Sequence, residues 1–181
     1  MILEQFSLKG KVAIVTGASR GLGSGIALAL AEAGADIVGV GISDSTATGD
    51  RVKALGQRYL PIKADLGDKS CIPEIVAQAK ASFGKIDILV NNAGTIRRND
   101  FVDFTEDDWD TVMDLNLKNL FFLSQAVVRE FIAQGSGGKI IHIASMLSFQ
   151  GGIRVASYTS SKSGVKGLTM LMANELAPQG I

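Results

Sequence analysis

The stretch KVAIVTGASRGLGSGIALALAEAG, residues 11–34, decides the fold of this protein. It starts as a short apolar run, passes through a glycine-rich turn and continues as an apolar helical pattern that ends at Gly34. Gly17, Gly21 and Gly23 allow a tight turn and let the backbone approach a pyrophosphate, which the free N–H groups of the helix N-terminus stabilise. The stretch therefore predicts the opening strand–turn–helix unit of a dinucleotide-binding domain. It is not a P-loop, because no Gly-Lys-Ser/Thr ends the turn.

The same alternation of apolar strand and helix continues along the chain. Further strands are predicted at ADIVGVGI (35–42), RYLPIKAD (58–65), KIDILVNNAG (85–94) and GGKIIHIAS (137–145). Helices are predicted over residues 47–55, 70–84, 105–134 and 158–176. This order is typical of an α/β fold, a doubly wound (Rossmann-type) parallel sheet covered on both faces. No linker or repeat interrupts the pattern, so we expect residues 1–181 to form a single dinucleotide-binding domain.

The composition narrows the possible partners. The 181 residues are 46% hydrophobic and carry 18 basic and 18 acidic residues, so the formal net charge is zero. Without a strong field, binding to nucleic acid or to a membrane surface is not expected. The single cysteine, Cys71, suits a reducing compartment. The N-terminal segment carries Glu4 and no long apolar run, so no signal peptide is expected and a cytoplasmic location is predicted. The only histidine, His142, has no metal-ligand partners at suitable spacing, so no metal is expected.

Two further segments stand where strands end. ADL (64–66) follows the third predicted strand and NNAG (91–94) ends the fourth. Carboxyl ends of parallel strands are where doubly wound sheets bind ligands. Asp65 alone would more often be a loop or cap residue, but its recurrence with the other strand ends favours a binding role.

The residues leave the choice between NAD and NADP open. A carboxylate that holds the adenosine ribose ordinarily follows the second strand, but that strand ends at Gly41, and Asp44 lies three residues further on. Arg20, inside the glycine turn, could instead meet a 2′-phosphate.

The last helix carries a group that can move a proton. Tyr158 lies four residues before Lys162, a spacing that places both side chains on one helix face. A tyrosine is ordinarily a poor base at neutral pH, but a nearby ammonium favours the phenolate. Such a pair can transfer a proton to or from an alcohol or carbonyl oxygen, and Ser145 can donate a hydrogen bond to that oxygen.

Together these features resemble the short-chain dehydrogenase/reductase family. The similarity includes TGASRGLG, ADL, NNAG, Asn116 in the long helix, Ser145 thirteen residues before Tyr158, and the YTSSK segment, and it extends along essentially the whole chain. The resemblance implies reversible hydride transfer between a nicotinamide and a secondary alcohol or ketone.

The resemblance also implies a role for individual residues. Tyr158 would be the general acid/base, Lys162 would support it and bind the nicotinamide ribose, Ser145 would orient the substrate oxygen, and Asn116 would hold a water in a proton relay. Besides Tyr158 and Lys162, the cofactor would contact residues of the glycine turn and the strand ends, namely Gly17, Ser19, Arg20, Gly21, Leu22, Gly23, Asp65, Leu66, Asn92, Ala93 and Gly94.

A narrower similarity is to members of the family that act on sugar acids, carried by segments such as DILVNNAGTIRRNDF and FIAQGSGGKIIHIASMLSFQGGIRVASYT. It implies NAD as the cofactor, with NADP open, and a substrate whose carboxylate needs a cationic or amide-rich partner. Ser145, Gln150 and Arg154 are the candidate substrate contacts, and Arg97 and Arg98 are further candidates. Other short-chain reductases, acting on gluconate or on 3-oxoacyl substrates, remain alternatives.

The family resemblance carries two more expectations. Its members commonly pair two long helices, here roughly 105–134 and 156–176, across a homo-oligomer interface. They also run to about 250 residues, so this chain is expected to lack their C-terminal strands. A hypothesis of a different class is therefore a truncated dinucleotide-binding module without activity.

Overall fold

The computed structural model describes residues 2–181, which build a five-stranded parallel sheet with helices on both faces. The strands are β1 (Val12–Thr16), β2 (Asp36–Gly41), β3 (Tyr59–Lys63), β4 (Ile88–Asn91) and β5 (Lys139–His142). The α-helices are α1 (Gly21–Glu32), α2 (Thr46–Ala54), α3 (Ile72–Phe83), α4 (Glu106–Met113), α5 (Asn119–Gln134) and α6 (Ala156–Leu176). The predicted fold class, a doubly wound parallel sheet, is confirmed.

The order of strands places the site. The sheet runs β3-β2-β1-β4-β5, with β1 in the middle and every neighbouring pair parallel. The chain builds outward in one direction from β1 to β3 and then in the other from β4 to β5. Between β1 and β4 lies the point where the strand order reverses, and in such sheets the crevice at the carboxyl ends of these strands binds ligands.

Two apolar layers hold the sheet between its helices. One face of the sheet packs against α3 and α5 through Ile75, Val127 and the fully buried Phe131. The other face packs against α1 and α2 through Ala27 and Val52. Because both faces are covered, the central strands are continuously apolar and buried, as β1 is over its full length.

The helix ends follow the local chemistry of the sequence. The Thr105 hydroxyl accepts a hydrogen bond from the N–H of Asp108 at 3.1 Å and so caps α4. Pro73 lies in the first turn of α3, and Gly84 ends that helix with a left-handed φ of 79°.

The predicted long helix over residues 105–134 is wrong in one respect. Between α4 and α5, the five residues Asp114–Lys118 form a turn of π-helix rather than α-helix. A π-turn inserts one extra residue into the helix, and such turns are frequent at functional sites. Asn116, which a continuous α-helix would tolerate poorly, lies at its centre.

At the amino ends of the strands, Asp87 joins β1 to β4. Its carboxylate accepts a hydrogen bond from the N–H of Val12 at 2.9 Å and forms ion pairs with Lys85 at 3.0 Å and Lys11 at 3.2 Å. Burial opposes the charged form, but these partners outweigh it and hold the pKa of Asp87 below its ordinary value. Among the helices described, none has the length and apolar character needed to cross a bilayer.

Candidate active site

The glycine turn after β1 forms an open backbone cradle. Gly17 and Gly21 adopt positive φ values of 69° and 57°, which L side chains rarely adopt. A Cβ at Gly23 would lie 2.1 Å from the carbonyl oxygen of Gly17, so only glycine fits. The N-terminus of α1 begins at this turn, and its free N–H groups and dipole suit an anion.

Thr16 joins the glycine turn to the NNAG segment. Its Oγ1 accepts hydrogen bonds from the N–H groups of Asn92 and Ala93, both at 2.9 Å. The Asn92 side-chain amide donates to the carbonyl oxygen of Thr16, also at 2.9 Å. Sequence reasoning assigned no role to Thr16, although its place immediately before the first glycine was the available signal.

A cleft of about 400 Å³ runs along these segments, within the size range of cofactor sites. The cleft brings together the eleven glycine-turn and strand-end residues predicted to contact a cofactor, and residues at the end of β2 also line it. The eleven are Gly17, Ser19, Arg20, Gly21, Leu22, Gly23, Asp65, Leu66, Asn92, Ala93 and Gly94, and those at the end of β2 are Gly41, Ile42 and Ser43. The glycine cradle, the helix N-terminus and the shape of this cleft fit a dinucleotide.

The ADL segment is held by Asn119 of α5, a residue to which the sequence alone assigned no role. The buried Asn119 side chain, in the first turn of α5, donates to the carbonyl oxygens of Leu66 at 2.9 Å and Gly67 at 2.8 Å. The Asp65 carboxylate accepts a hydrogen bond from the N–H of Gly67 at 2.8 Å and closes the turn. Asp65 thus shapes its own loop as well as lining the cleft.

Asn116 uses its side chain to hold the backbone after NNAG. Its Oδ1 accepts from the N–H of Thr95 at 2.8 Å, and its Nδ2 donates to the Thr95 carbonyl at 2.9 Å and to the Ser161 hydroxyl at 3.3 Å. The side chain is fully buried, and both amide hydrogens are used. The Asn116 side chain therefore has no amide hydrogen left to donate to a water.

Tyr158 and Lys162 lie on one face of α6. The Lys162 ammonium is 5.8 Å from the centroid of the Tyr158 ring and donates a hydrogen bond of 2.5 Å to the carbonyl oxygen of Ile143, just past β5. Lys162 is only 4% exposed, and this burial lowers its pKa from the ordinary value. Tyr158 is half-buried, so its phenol can meet a ligand while the lysine stays enclosed.

Ser145 begins a short 3₁₀ turn between β5 and α6, Met146–Ser148. Its hydroxyl accepts a hydrogen bond from the N–H of Leu147 at 3.1 Å, which leaves the hydroxyl hydrogen available for another acceptor. The buried Ser148 hydroxyl donates to the carbonyl oxygen of Lys162 at 2.7 Å. This bond attaches the segment that carries Ser145 to the helix that carries Tyr158.

Behind this group, His142 belongs to a structural network. Its Nδ1 lies 2.9 Å from the Thr169 hydroxyl and its Nε2 lies 3.3 Å from the Ser124 hydroxyl, which also accepts a hydrogen bond from Asn91 at 2.9 Å. Burial, followed by the nearby Lys162 charge, lowers the His142 pKa from 6.5 to about 4. The imidazole is therefore neutral at neutral pH and joins β4, β5, α5 and α6.

The predicted substrate contacts lie on the exposed loop before α6. Gln150 is exposed, and its backbone N–H donates to the carbonyl oxygen of Met146 at 3.3 Å. Arg154 is also exposed and forms an ion pair with Asp100, with 2.9 Å between Nε and Oδ1. Arg97 faces Asp108, with 3.7 Å between Nε and Oδ1. Within residues 2–181, no three His, Cys, Asp or Glu side chains are grouped closely enough to hold a metal ion.

This arrangement can bind a dinucleotide and deliver a proton at one end of it. The chain belongs to the short chain dehydrogenase family, since the family model of that description matches residues 11–181. The oxidoreductase class and the nicotinamide cofactor predicted from the sequence are confirmed by this membership.

Individual relatives carry more specific names. The 2-dehydro-3-deoxy-D-gluconate 5-dehydrogenase of Escherichia coli (strain K12) is 62% identical over 181 residues, which cover 100% of this chain and 72% of that protein. The protein of the same name from Bacillus subtilis (strain 168) is 47% identical, over 98% of this chain and 70% of the relative. The predicted shortness of the chain relative to its family agrees with these shares.

A solved structure leads to the same group of proteins. A candidate 2-deoxy-D-gluconate 3-dehydrogenase from Agrobacterium tumefaciens, crystallised with NADP, superposes with a TM-score of 0.90 at 49% identity. The match covers 97% of this chain and 70% of that one. The fold around the cleft is therefore shared with a nicotinamide-binding relative.

Proposed function

We propose that this protein catalyses reversible hydride transfer between a nicotinamide cofactor and a secondary hydroxyl of a sugar acid, of the 2-dehydro-3-deoxy-D-gluconate or 2-deoxy-D-gluconate type. The observation that carries the proposal is the pairing of Tyr158 with the buried Lys162, beside a glycine-lined cleft that fits a dinucleotide. Identity of 62% to a 2-dehydro-3-deoxy-D-gluconate 5-dehydrogenase supports the choice of substrate class.

In the oxidative direction, a bound nicotinamide would supply the acceptor for the hydride that leaves the carbon bearing the hydroxyl, and Lys162 with Asn92 to Gly94 would hold its ribose. The Tyr158 phenolate takes the hydroxyl proton as the carbonyl forms, so that one hydride and one proton leave the alcohol. Ser145 donates a hydrogen bond to the reacting oxygen and holds it beside the phenol. The Lys162 ammonium lies 5.8 Å from the centroid of the Tyr158 ring and has donor capacity left beyond its bond to Ile143 for a ribose hydroxyl.

The remaining predicted site residues would hold the cofactor and connect the proton to solvent. The glycine turn from Gly17 to Gly23 would bind the pyrophosphate, Asp65 and Leu66 would face the adenine, and Asn92 to Gly94 would line the nicotinamide ribose. Asn116, at the centre of the π-turn, would hold the relay water. Asn116 itself supports this arrangement by fixing the Thr95 backbone.

We propose NAD as the physiological cofactor, because the chain is similar to family members that act on sugar acids, with NADP as a second candidate. Two observations keep NADP open, since the end of β2 presents Gly41 and no carboxylate to the cleft, and the exposed Arg20 lines the same cleft. The relative crystallised with NADP favours the second candidate. The ratio of kcat/KM for the two cofactors decides between them.

The proton-transfer role of Tyr158 is tested with Tyr158→Phe. This change removes the phenolic oxygen and leaves the ring, so we expect kcat to fall by about 10²- to 10⁴-fold while the Kd for NADH changes less than about twofold. Lys162→Met should lower kcat and also weaken NADH binding, because Lys162 acts on the phenol and on the ribose. The measurements are NADH absorbance during turnover of 2-deoxy-D-gluconate and fluorescence titration with NADH.

The same assay separates the alternatives. Normal activity in Tyr158→Phe would remove the tyrosine from the mechanism. Cofactor binding by the wild-type chain without turnover would favour the binding module that lacks activity. Preference for a 3-oxoacyl substrate would favour the alternative that the protein is a 3-oxoacyl reductase, since a 3-oxoacyl-[acyl-carrier-protein] reductase of Vibrio cholerae is 38% identical.

We also propose that the protein acts in the cytoplasm as a homo-oligomer built on α5 and α6. The single cysteine and zero net charge support the first part. Exposed apolar side chains on the two helices support the homo-oligomer. Among these side chains are Phe121, Met170 and Leu171.

A further inference from the structure

The loop between β5 and α6 contains an unusual backbone conformation. Arg154 has a φ of 64°, and among the described residues it is the only non-glycine with positive φ. Gly151 and Gly152 precede it, yet neither takes the left-handed conformation that glycine would adopt without cost. A strained residue of this kind persists only where its surroundings impose it, and such residues cluster at functional sites.

The contacts that impose it come from the loop after β4. The N–H of Asn99 donates to the carbonyl oxygen of Arg154 at 3.1 Å, and the Arg154 Nε lies 2.9 Å from the Asp100 Oδ1. Asn99 in turn is fixed, because its side chain donates to the carbonyl oxygen of Asp103 at 2.9 Å and accepts from the N–H of Asp100 at 2.9 Å. We call Asn99, Asp100 and Arg154 the loop clasp.

The loop clasp connects the two segments that flank the proton-transfer group. One segment continues from NNAG at the carboxyl end of β4. The other leads from Ser145 to α6, with Arg154 two residues before the helix starts and four before Tyr158. A substrate whose hydroxyl reaches Tyr158 therefore lies beside these loops.

The clasp adds little to the stability of the fold. The side chains of Arg154 and Asp100 are 56% and 63% exposed, and exposed ion pairs contribute little to the free energy of unfolding. The pair instead places the Arg154 guanidinium beside the Asp100 carboxylate. Nε lies 2.9 Å from the Asp100 Oδ1, and Nη1 and Nη2 donate no hydrogen bond within residues 2–181. These two nitrogens form a fork whose geometry matches a carboxylate.

The other two candidate arginines are less suited. Arg97 already places Nε 3.7 Å from Asp108 and Nη1 3.5 Å from the Thr95 hydroxyl. Arg98 is exposed, and no contact within the described chain holds its guanidinium in one orientation. An oriented donor loses less entropy on binding, which favours Arg154.

We infer that Arg154 binds the carboxylate of the sugar acid through Nη1 and Nη2, and that Asp100 is a positioning residue that orients this guanidinium through Nε. The inference rests on the proposed function, because it names the residue that selects an acidic sugar over a neutral one.

The first test compares 2-deoxy-D-gluconate with its neutral amide, 2-deoxy-D-gluconamide. Arg154→Gly removes the guanidinium and suits the left-handed backbone, so the fold is retained. We expect the KM for the acid to rise about 10- to 100-fold, while kcat and the KM for the amide stay nearly constant. Arg154→Lys keeps the charge but lacks the fork, and its KM for the acid should lie between those of wild type and Arg154→Gly.

The second test concerns Asp100. Asp100→Asn should raise the KM for the acid about threefold to tenfold, leave kcat and the melting temperature unchanged, and have no further effect when combined with Arg154→Gly. Asp100→Glu restores a carboxylate and should recover part of the affinity. A merely structural role would instead lower the melting temperature or change the KM for both substrates.

The outcomes distinguish this inference from the proposed function. If wild type turns over the acid but Arg154→Gly does so with an unchanged KM, Arg154 is not the carboxylate site and the function stands. A rise in KM in Arg98→Gln alone would transfer the role to Arg98. If wild type binds NADH but oxidises neither substrate, the proposed function fails and this inference fails with it.

Discussion

Gly23 shows how one position without a side chain determines what the cleft can hold. A Cβ there would meet the carbonyl oxygen of Gly17 at 2.1 Å and the side-chain amide of Asn92 at 2.6 Å. Both neighbours are fixed, the first by the turn itself and the second by its bond to Thr16. An added methyl group would therefore push the glycine turn away from NNAG.

We expect Gly23→Ala to destabilise the protein by about 1–3 kcal/mol, the usual range for overpacking, and to weaken NADH binding at least about tenfold. Gly25→Ala is the matched control. It lies in the same helix with nothing within 4 Å of the added Cβ, and alanine is the better helix former, so stability should rise slightly. Thermal unfolding and NADH titration measure both effects. Equal behaviour of the two variants would contradict the steric argument.

Sequence similarity to a family and the observed structure give complementary accounts of Asn116. The resemblance predicts a residue that holds a water, whereas the structure shows an amide whose hydrogens are both used within the protein. The residue type follows from the need to bind Thr95 through both its N–H and its carbonyl, which an amide side chain can do. That this position holds a water stays a prediction.

At the scale of the element, the central strands β1, β2 and β4 were predictable because their apolar runs are buried on both faces. The sequence also showed Thr105 and Gly84 as the ends of α4 and α3, since capping depends on local chemistry. The π-turn was not predictable, because it arises from a tertiary contact between Asn116 and the segment after β4. The same holds for the left-handed Arg154, whose conformation is imposed by Asn99 and Asp100.

His142 gives a prediction at this scale, since it joins β5 to α5 and α6. Its pKa is about 4 in the folded protein and 6.5 ordinarily, so between these values the unfolded chain binds the extra proton. Stability should therefore fall as the pH drops from about 6.5 to about 4, by at most about 3 kcal/mol. Burial and the Lys162 charge are the causes.

The variant His142→Asn removes this titration while keeping a polar side chain. We expect it to be less stable at pH 7, where wild type has its full network, and to lose less stability between pH 6.5 and 4. Urea unfolding at several pH values measures the two slopes, and the other titrating groups cancel in their difference. Parallel slopes would show that His142 does not contribute.

At the scale of the whole molecule, the sheet order and the covered faces explain why one end of the protein carries all the chemistry. The glycine turn, the ADL and NNAG segments, Ser145 and the start of α6 meet at the carboxyl ends of the strands. Residues far apart in the sequence are brought together there by topology alone. Their types could be identified from the sequence, but Thr16 and Asn119 acquire a role only through the contacts that this topology creates.

The outer surface of α5 and α6 leads to a prediction about assembly. Phe121 is 39% exposed, Met170 60% and Leu171 55%, and a groove of about 190 Å³ between the helices is lined by further apolar side chains. Side chains of this kind in one patch are typical of protein interfaces. A second copy of the chain presents the same two helices, and a twofold axis would pair them with themselves.

Leu171→Glu places a charge on that surface, and burying an unpaired carboxylate in an interface is strongly unfavourable. We expect wild type to have a mass that is a multiple of 19.0 kDa and the variant to dissociate, with a Kd raised at least about 100-fold. Leu55→Glu, at the end of α2 and 41% exposed, adds the same charge away from the two helices and should leave the mass unchanged. Light scattering over a concentration series measures all three proteins. A monomeric wild type, or dissociation by both variants alike, would rule out an interface on α5 and α6.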